Sequence, residues 1–118
     1  MYYVFDQSSG NIVGFKVSGM ITASEMDQMC QLMKKCLSES ERVRLLVVIE
    51  GFRGLTAAAL EKKLSFAWKY YTCIDRMTVV ARAAWTRGWV RFIRNFISIE
   101  LKEFEPSQTA AAWAWIKK

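Results

Sequence analysis

Five apolar residues run without interruption from Leu45 to Ile49, with arginines before them and Glu50 and Gly51 after them. A run this short cannot present the alternating faces of an amphipathic helix. A strand that is apolar on both faces needs cover above and below it, as a central parallel strand of an α/β sheet has. We therefore predict that this run is the middle strand of a sheet and that the remaining elements pack against it.

The chain has 118 residues and a formal net charge of +6, with a pI of about 9.4. This length suits one domain, residues 1–118, with a core of its own. A net positive charge favours anionic partners such as nucleic acid, a phospholipid surface or an acidic protein. The alternative is that the charge only keeps the protein soluble.

Histidine is absent, and the three cysteines, Cys30, Cys36 and Cys73, form no CxxC motif. This composition excludes histidine-based triads and gives little support to a metal site, so we expect a non-enzymatic protein without a metal or cofactor. Free cysteines of this kind suggest a reducing compartment. No signal peptide or membrane-spanning run is evident, and we expect a cytoplasmic protein.

The first forty residues predict a β-hairpin and a helix. Tyr2–Phe5 and Ile12–Val17 read as antiparallel strands joined by turn residues, with Gly19 ending the second strand. Thr22 and Glu25 have the spacing of a capping box. The apolar residues after them recur at helical spacing, and we expect this methionine-rich stripe to face the core: Met26, Met29, Cys30, Met33 and Leu37.

After the central strand, Glu50–Leu55 carries two glycines around Phe52 and Arg53 and predicts a tight strand-to-helix turn. Ligands often bind at this edge of open α/β sheets. The pattern is neither GxGxxG nor a Walker motif, so a nucleotide phosphate site has little support. Thr56 is expected to cap the second helix.

The second helix carries an apolar stripe that we expect to face the core, formed by Leu60, Leu64, Ala67, Trp68 and Tyr71. Phe66 and Tyr70 fall about 100° or more away from this stripe. These two rings require a second role, such as a contact surface, a dimer interface or a pocket wall.

A basic, aromatic segment follows a short predicted strand, Met77–Ala81. Residues 76–99 contain five arginines and no acidic residue. On a helical wheel the aromatic and arginine residues separate to opposite sides: Trp85, Trp89, Phe92, Ile93 and Phe96 on one, and Arg87, Arg91 and Arg94 on the other. The aromatic face either covers the sheet or, with the arginines, suits an anionic membrane surface or an apolar cavity wall. Single-stranded nucleic acid ranks lower, because its binding grooves mix rings and cations.

The end of the chain predicts one more strand and one more helix. Ile99–Phe104 alternates apolar and charged residues, as expected near a sheet edge. Gln108–Ile116 is alanine-rich, contains two tryptophans and is expected to form the closing helix.

Several of these segments, in this order, resemble the SpoIIAA-like branch of the STAS superfamily, which comprises sulfate transporter and anti-sigma-factor-antagonist domains. The segments are residues 13–22, 45–49, 51–54 and 76–80 with Trp85, and 104–106 with Ala112 and Trp113. The resemblance implies an α/β fold, with a mixed, mostly parallel sheet opened by a β-hairpin, about four helices and no catalytic site. Related antagonists carry a phosphorylatable serine in the turn after a buried strand. The turn here has only Thr56, which the helix cap explains.

Two functional hypotheses follow. In the first, the protein binds an apolar ligand such as a lipid, or docks on an anionic membrane surface. The ligand contacts would be Trp68, Tyr71, Trp85, Trp89, Phe92 and Phe96, and the membrane contacts Arg87, Arg91 and Arg94. In the second, the protein is a protein-interaction regulator that docks a partner through Gly51, Phe52, Arg53 and Gly54. A homodimer is compatible with either hypothesis.

Overall fold

The computed structural model describes residues 1–5, 10–82 and 100–118, without the side chains of Phe52, Ala67 and Tyr71. Its strands are β1 (Tyr2–Val4), β2 (Ile12–Ile21), β3 (Val43–Leu55), β4 (Ile74–Ala81) and β5 (Glu100–Phe104). Its α-helices are α1 (Ala23–Glu39), α2 (Ala57–Tyr70) and α3 (Thr109–Lys117). Short 3₁₀ turns follow α2 at Tyr71–Cys73 and precede α3 at Pro106–Gln108. The helix predicted between Trp85 and Phe96 lies outside the described residues.

The five strands form one sheet in the order β1-β2-β3-β4-β5. β1 pairs with β2 in antiparallel orientation, and the other neighbours are parallel. Val47 of β3 lies between Phe15 of β2 and Val79 of β4. The predicted hairpin, the central position of Leu45–Ile49 and the edge position of the last strand are therefore confirmed.

β2 and β3 both continue beyond the predicted ends. The prediction that Gly19 ends a strand was wrong, as was the prediction of a tight turn at Glu50–Leu55, since β2 and β3 stay paired as far as Ile21 and Leu55. Gly19, Gly51 and Gly54 have φ values of 60°, 61° and 128°. Because glycine adopts these angles without a Cβ clash, the ladder absorbs register shifts there instead of ending.

The two faces of the sheet have separate cores. α1 and α2 cover one face, where the apolar side of α1 packs against Val13, Phe15 and Leu45. α3 covers the other face, where Trp113 and Ile116 pack against Leu46 and Val80. Cover on both faces explains why the stretch Leu45–Ile49 of the central strand is apolar throughout.

α1 begins as its sequence predicts. The hydroxyl of Thr22 accepts a hydrogen bond from the Glu25 N–H at 3.3 Å, and a Glu25 carboxylate oxygen accepts one from the Thr22 N–H at 3.2 Å. The expected core stripe is buried at Met26, Met29, Cys30 and Met33, whereas Leu37 is only partly buried and Cys36 completes the buried set. Burial raises the pKa of the thiols of Cys30 and Cys36.

Two arginines from the sheet hold the carboxyl end of α3. Arg44 donates to the Ile116 carbonyl at 2.8 Å, and Arg76 donates to the Trp115 carbonyl at 3.2 Å. Arg44 also pairs with Asp75, and Arg76 pairs with Glu100 at 2.7 Å. Cations here satisfy terminal carbonyls and oppose the negative end of the helix dipole, so α3 is fixed to the sheet at this end.

Candidate docking surface

α2 begins at a threonine cap and packs beside α1. The hydroxyl of Thr56 accepts a hydrogen bond from the Ala59 N–H at 3.1 Å, which confirms the predicted cap. Ala59 is fully buried, and Phe66 packs against the same core cluster. Lys62 forms an ion pair with Asp27 of α1 at 3.7 Å. The side of α2 that carries Ala59 and Phe66 is therefore the side that faces the core.

The opposite side of α2 carries a row of large apolar side chains in solvent. Leu60, Leu64 and Trp68 are 46%, 60% and 86% exposed. They are four residues apart, so they follow one another along the helix within an arc of about 80°. We call these three residues the α2 ridge.

The sequence prediction for this helix was wrong in orientation. Leu60, Leu64 and Trp68 were expected to face the core, and Phe66 was expected to lie off the core stripe. In the structure Phe66 packs inward, with its ring centroid 4.8 Å from that of Tyr70. The physical reason is that α2 rests mainly on α1 and buries the side that carries Ala59 and Phe66, so the larger stripe turns outward.

One charged residue, Glu61, borders the α2 ridge, and Lys69 lies farther round the helix. On a helical wheel Glu61 and Lys69 lie on the same side of it, about 60° and 140° from Leu64. The Lys69 ammonium lies 5.5 Å from the centre of the Tyr70 ring. No charged residue falls within the arc of the ridge itself. The surface is an apolar strip with a charged residue at its border, as protein and membrane contact surfaces often are.

The other predicted contact residues divide into two groups. Tyr71 lies in the 3₁₀ turn after α2. The remaining ligand and membrane candidates lie outside the described residues: Trp85, Arg87, Trp89, Arg91, Phe92, Arg94 and Phe96. Trp68 is the one ligand-contact candidate whose side chain is described, and it is 86% exposed.

The predicted docking turn is the bulged end of β3. Glu50–Leu55 pairs with β2, while the pairing of β3 with β4 ends at Ile49 and Ala81. Arg53 is exposed there, and a Cβ added at Gly54 would lie 3.9 Å from the sulfur of Met20, which is 50% exposed. The predicted docking segment is therefore an irregular strand end with one exposed basic side chain, that of Arg53.

A small groove between the hairpin and α1 is a weaker candidate. Its volume is about 180 Å³, and it is lined by Val4, Ile12, Leu32, Lys35 and Cys36, among others. Ligand pockets usually enclose roughly 300–1,000 Å³. The Cys36 thiol donates to the Gly10 carbonyl at 3.3 Å, so its proton already has an acceptor. We assign no ligand to this groove.

In the described ranges, no three acidic or cysteine side chains are grouped closely enough to hold a metal ion. None of the described helices combines the length and the apolarity needed to cross a membrane.

The fold and its two-sided cover define the class of the protein, a mixed α/β domain with helices on both faces of a mostly parallel sheet. The sequence model of the SpoIIAA-like family matches residues 12–117. The chain therefore belongs to the SpoIIAA-like family, as its sequence motifs indicated. A comparison with curated proteins found no match.

Two solved structures share the fold. An uncharacterised protein from Shewanella loihica PV-4 with a SpoIIAA-like fold aligns over 98% of this chain and 93% of its own, with 21% identity and a TM-score of 0.80. The anti-sigma factor antagonist SpoIIAA, in its unphosphorylated form, aligns over 94% of this chain and 96% of its own, with 7% identity and a TM-score of 0.61. At these identities the likeness concerns the fold alone.

Proposed function

We propose that this protein is a non-enzymatic binding module that docks on an anionic membrane surface, or on an apolar ligand presented there, through the α2 ridge. The observation that carries the proposal is that the Trp68 side chain is 86% exposed. It lies in a row with two exposed leucines, Leu60 and Leu64. Tryptophan favours the interface between lipid headgroups and acyl chains, where its ring is buried and its N–H stays solvated.

The charge of the chain supports an anionic partner. The net charge of the chain is +6. Apolar insertion and electrostatic attraction add in such contacts, and neither alone gives firm binding. The faces predicted between Trp85 and Phe96 would supply further membrane contacts. The aromatic ones are Trp85, Trp89, Phe92 and Phe96, and the basic ones are Arg87, Arg91 and Arg94.

Co-sedimentation with lipid vesicles tests the proposal. We expect the protein to bind vesicles that contain phosphatidylglycerol and to bind phosphatidylcholine vesicles much less. Replacing Trp68 with alanine should weaken binding by roughly tenfold, because burying an indole contributes a large apolar area. Met20→Ala removes a half-exposed apolar side chain from another element and should leave binding unchanged.

The arginine contribution is tested separately. Arg87→Glu combined with Arg91→Glu should reduce binding to the anionic vesicles. The salt concentration that releases the protein from these vesicles should also become lower. The membrane proposal would be refuted if the protein bound anionic and neutral vesicles equally well and if neither Trp68→Ala nor the two arginine substitutions changed this binding. Native mass spectrometry of the purified protein would detect a lipid that stays bound during purification. Such a lipid would support the proposal that the protein binds an apolar ligand.

A second candidate function is a protein-interaction regulator. The observation in its favour is that Arg53 is exposed at the irregular end of β3, in a fold shared with an anti-sigma factor antagonist. A partner captured by the wild type and lost with Arg53→Glu would support this function. Capture that survives the substitution would exclude docking through Gly51, Phe52, Arg53 and Gly54.

A further inference from the structure

The hydrogen bonds of β1 determine which of its backbone groups face β2. The Met1 nitrogen donates to the Ser18 carbonyl at 2.8 Å, and the Ser18 N–H donates to the Met1 carbonyl at 2.9 Å. Hydrogen-bonded and non-hydrogen-bonded pairs alternate along an antiparallel ladder. The next bonded residue is therefore Tyr3, and the N–H and C=O groups of Tyr2 and Val4 point away from β2.

The outer side of β1 is consequently an open strand edge. Phe5 continues the alternation by donating to the Gly14 carbonyl at 2.9 Å. Within the described ranges, β2 is the one strand that pairs with β1, and no hydrogen bond reaches the backbone N–H or C=O of Tyr2 or Val4. Backbone groups in this arrangement can pair with a strand added from another chain.

One flank of α1 overlooks this edge. The Tyr2 hydroxyl donates to the Gln28 side-chain oxygen at 2.6 Å, which brings that side of α1 over β1. Leu32 and Lys35 follow Gln28 by four and seven residues and lie on the same side of the helix. Between this flank and Val4 lies the small groove, with a volume of about 180 Å³.

The groove suits one apolar side chain of a bound strand. It is smaller than the pockets that hold most free ligands. Its lining includes Val4, Ile12 and Leu32, and the charges of Lys35 and Glu39 balance each other, so a neutral side chain is favoured. Since Val4 packs on the face of the sheet that α1 covers, a residue bound opposite Val4 directs its side chain to the same face.

We infer that the β1 edge binds an extended peptide segment of a partner protein by strand addition, with one apolar side chain of the peptide in the groove. A lipid cannot supply the alternating donors and acceptors that this edge requires. A second copy paired about its own Tyr3 would place Tyr2 opposite Val4. That ring is held in its own molecule by Gln28 and by an edge-to-face contact with Phe15 at 6.1 Å, so it would leave the groove empty.

Selection of phage-displayed random heptapeptides on the immobilised protein tests the inference. We expect the enriched sequences to share a leucine, isoleucine or valine among strand-forming residues. Because β1 has only three residues, a synthetic copy of an enriched peptide should bind weakly, with a Kd of about 10–500 µM by fluorescence polarisation. Val4→Pro removes the outward N–H and should weaken binding by roughly tenfold, whereas Val4→Ala keeps it and should have a smaller effect.

A second pair of variants tests the groove without altering the strand. Lys34 and Lys35 are both exposed on α1, but Lys34 lies about 120° away from Gln28 around the helix. Lys35→Trp places a ring over the groove and should weaken peptide binding by roughly tenfold. Lys34→Trp adds the same ring on another side and should leave the affinity unchanged. Circular dichroism checks that each variant is folded.

Amide hydrogen exchange followed by NMR locates the bound strand. In the free protein the amide of Val4 should exchange faster than that of Tyr3, because only the Tyr3 N–H is bonded to β2. Saturating peptide should slow exchange at Val4. Equal protection of the two amides in the free protein would mean that the edge is already occupied, and it would overturn the inference.

The inference is also overturned if the selection enriches no peptide, or if binding tolerates both Val4→Pro and Lys35→Trp. The proposed membrane contact uses a different surface, so the two can fail separately. Trp68→Ala should weaken vesicle binding and leave peptide affinity unchanged. A loss of peptide affinity in Trp68→Ala would place the peptide on the α2 ridge and contradict binding at the β1 edge.

Discussion

Gly14 of β2 lies directly against the indole of Trp113 of α3. A Cβ placed on Gly14 would stand 2.5 Å from Cη2 of Trp113 and 3.3 Å from the ring of Phe5. The Phe5 and Trp113 rings meet edge to face with centroids 5.7 Å apart. The missing side chain at Gly14 is therefore what lets the closing helix seat its tryptophan on the sheet.

We expect Gly14→Ala to lower the free energy of unfolding by about 1–3 kcal/mol, because the added methyl group overpacks a filled core. Chemical denaturation measures the change. The double variant Gly14→Ala with Trp113→Phe should be more stable than the sum of the two single changes predicts, since the smaller ring leaves room for the methyl group. Strict additivity would contradict the contact.

The capping box of α1 should make stability depend on pH in acid. The backbone N–H of Thr22 donates to the Glu25 carboxylate and lowers its pKa. A carboxylate with a lowered folded-state pKa contributes stability above its unfolded value of about 4.3, and this contribution is lost as the pH falls through the folded value.

Glu25→Ala should therefore lower the melting temperature at pH 7 and have a smaller effect at pH 3. Thermal unfolding at both pH values measures the difference. Thr22→Ala, which removes the hydroxyl side of the same box, should cost about 1 kcal/mol at either pH. An effect of Glu25→Ala that is equal at the two pH values would show that its charge is not involved.

The three thiols should differ in their reaction with a maleimide. Cys30 and Cys36 are buried, and burial raises the pKa of both, whereas Cys73 is partly exposed after α2. Because the thiolate is the reactive form, Cys73 should be labelled first in the native protein. Mass spectrometry after partial labelling locates the modification, and a Cys73→Ser variant is the control. Early labelling of Cys30 would mean that α1 is not packed as described.

The fold was predictable wherever a local pattern determines a local structure. The uninterrupted run Leu45–Ile49 could lie only where both faces are covered, and Thr22 with Glu25 specify a helix start by their own hydrogen bonds. Gly19 and Gly51 were misread because a positive φ serves both a turn and a bulge within a strand. The choice between the two depends on the neighbouring strand, which the local sequence does not contain.

The candidate surface was only partly predictable. The periodicity of α2 placed Leu60, Leu64 and Trp68 on one side of the helix, and this was correct. It could not say which side of the helix meets the protein, because that depends on the packing of α2 against α1, which buries Ala59. Phe66 and Tyr70 lie off the predicted apolar stripe. These two rings were the sign in the sequence that either side of α2 could face the core. The basic, aromatic segment beyond Arg82 remains a prediction.

Quenching of tryptophan fluorescence by brominated lipids tests most directly whether the α2 ridge enters a membrane. With anionic vesicles, brominated lipids should quench the emission of the wild type more than that of Trp68→Phe. Quenching should be strongest when the bromine atoms lie just below the headgroups. Equal quenching of the wild type and Trp68→Phe, or none in either protein, would contradict the claim that this tryptophan is a membrane contact.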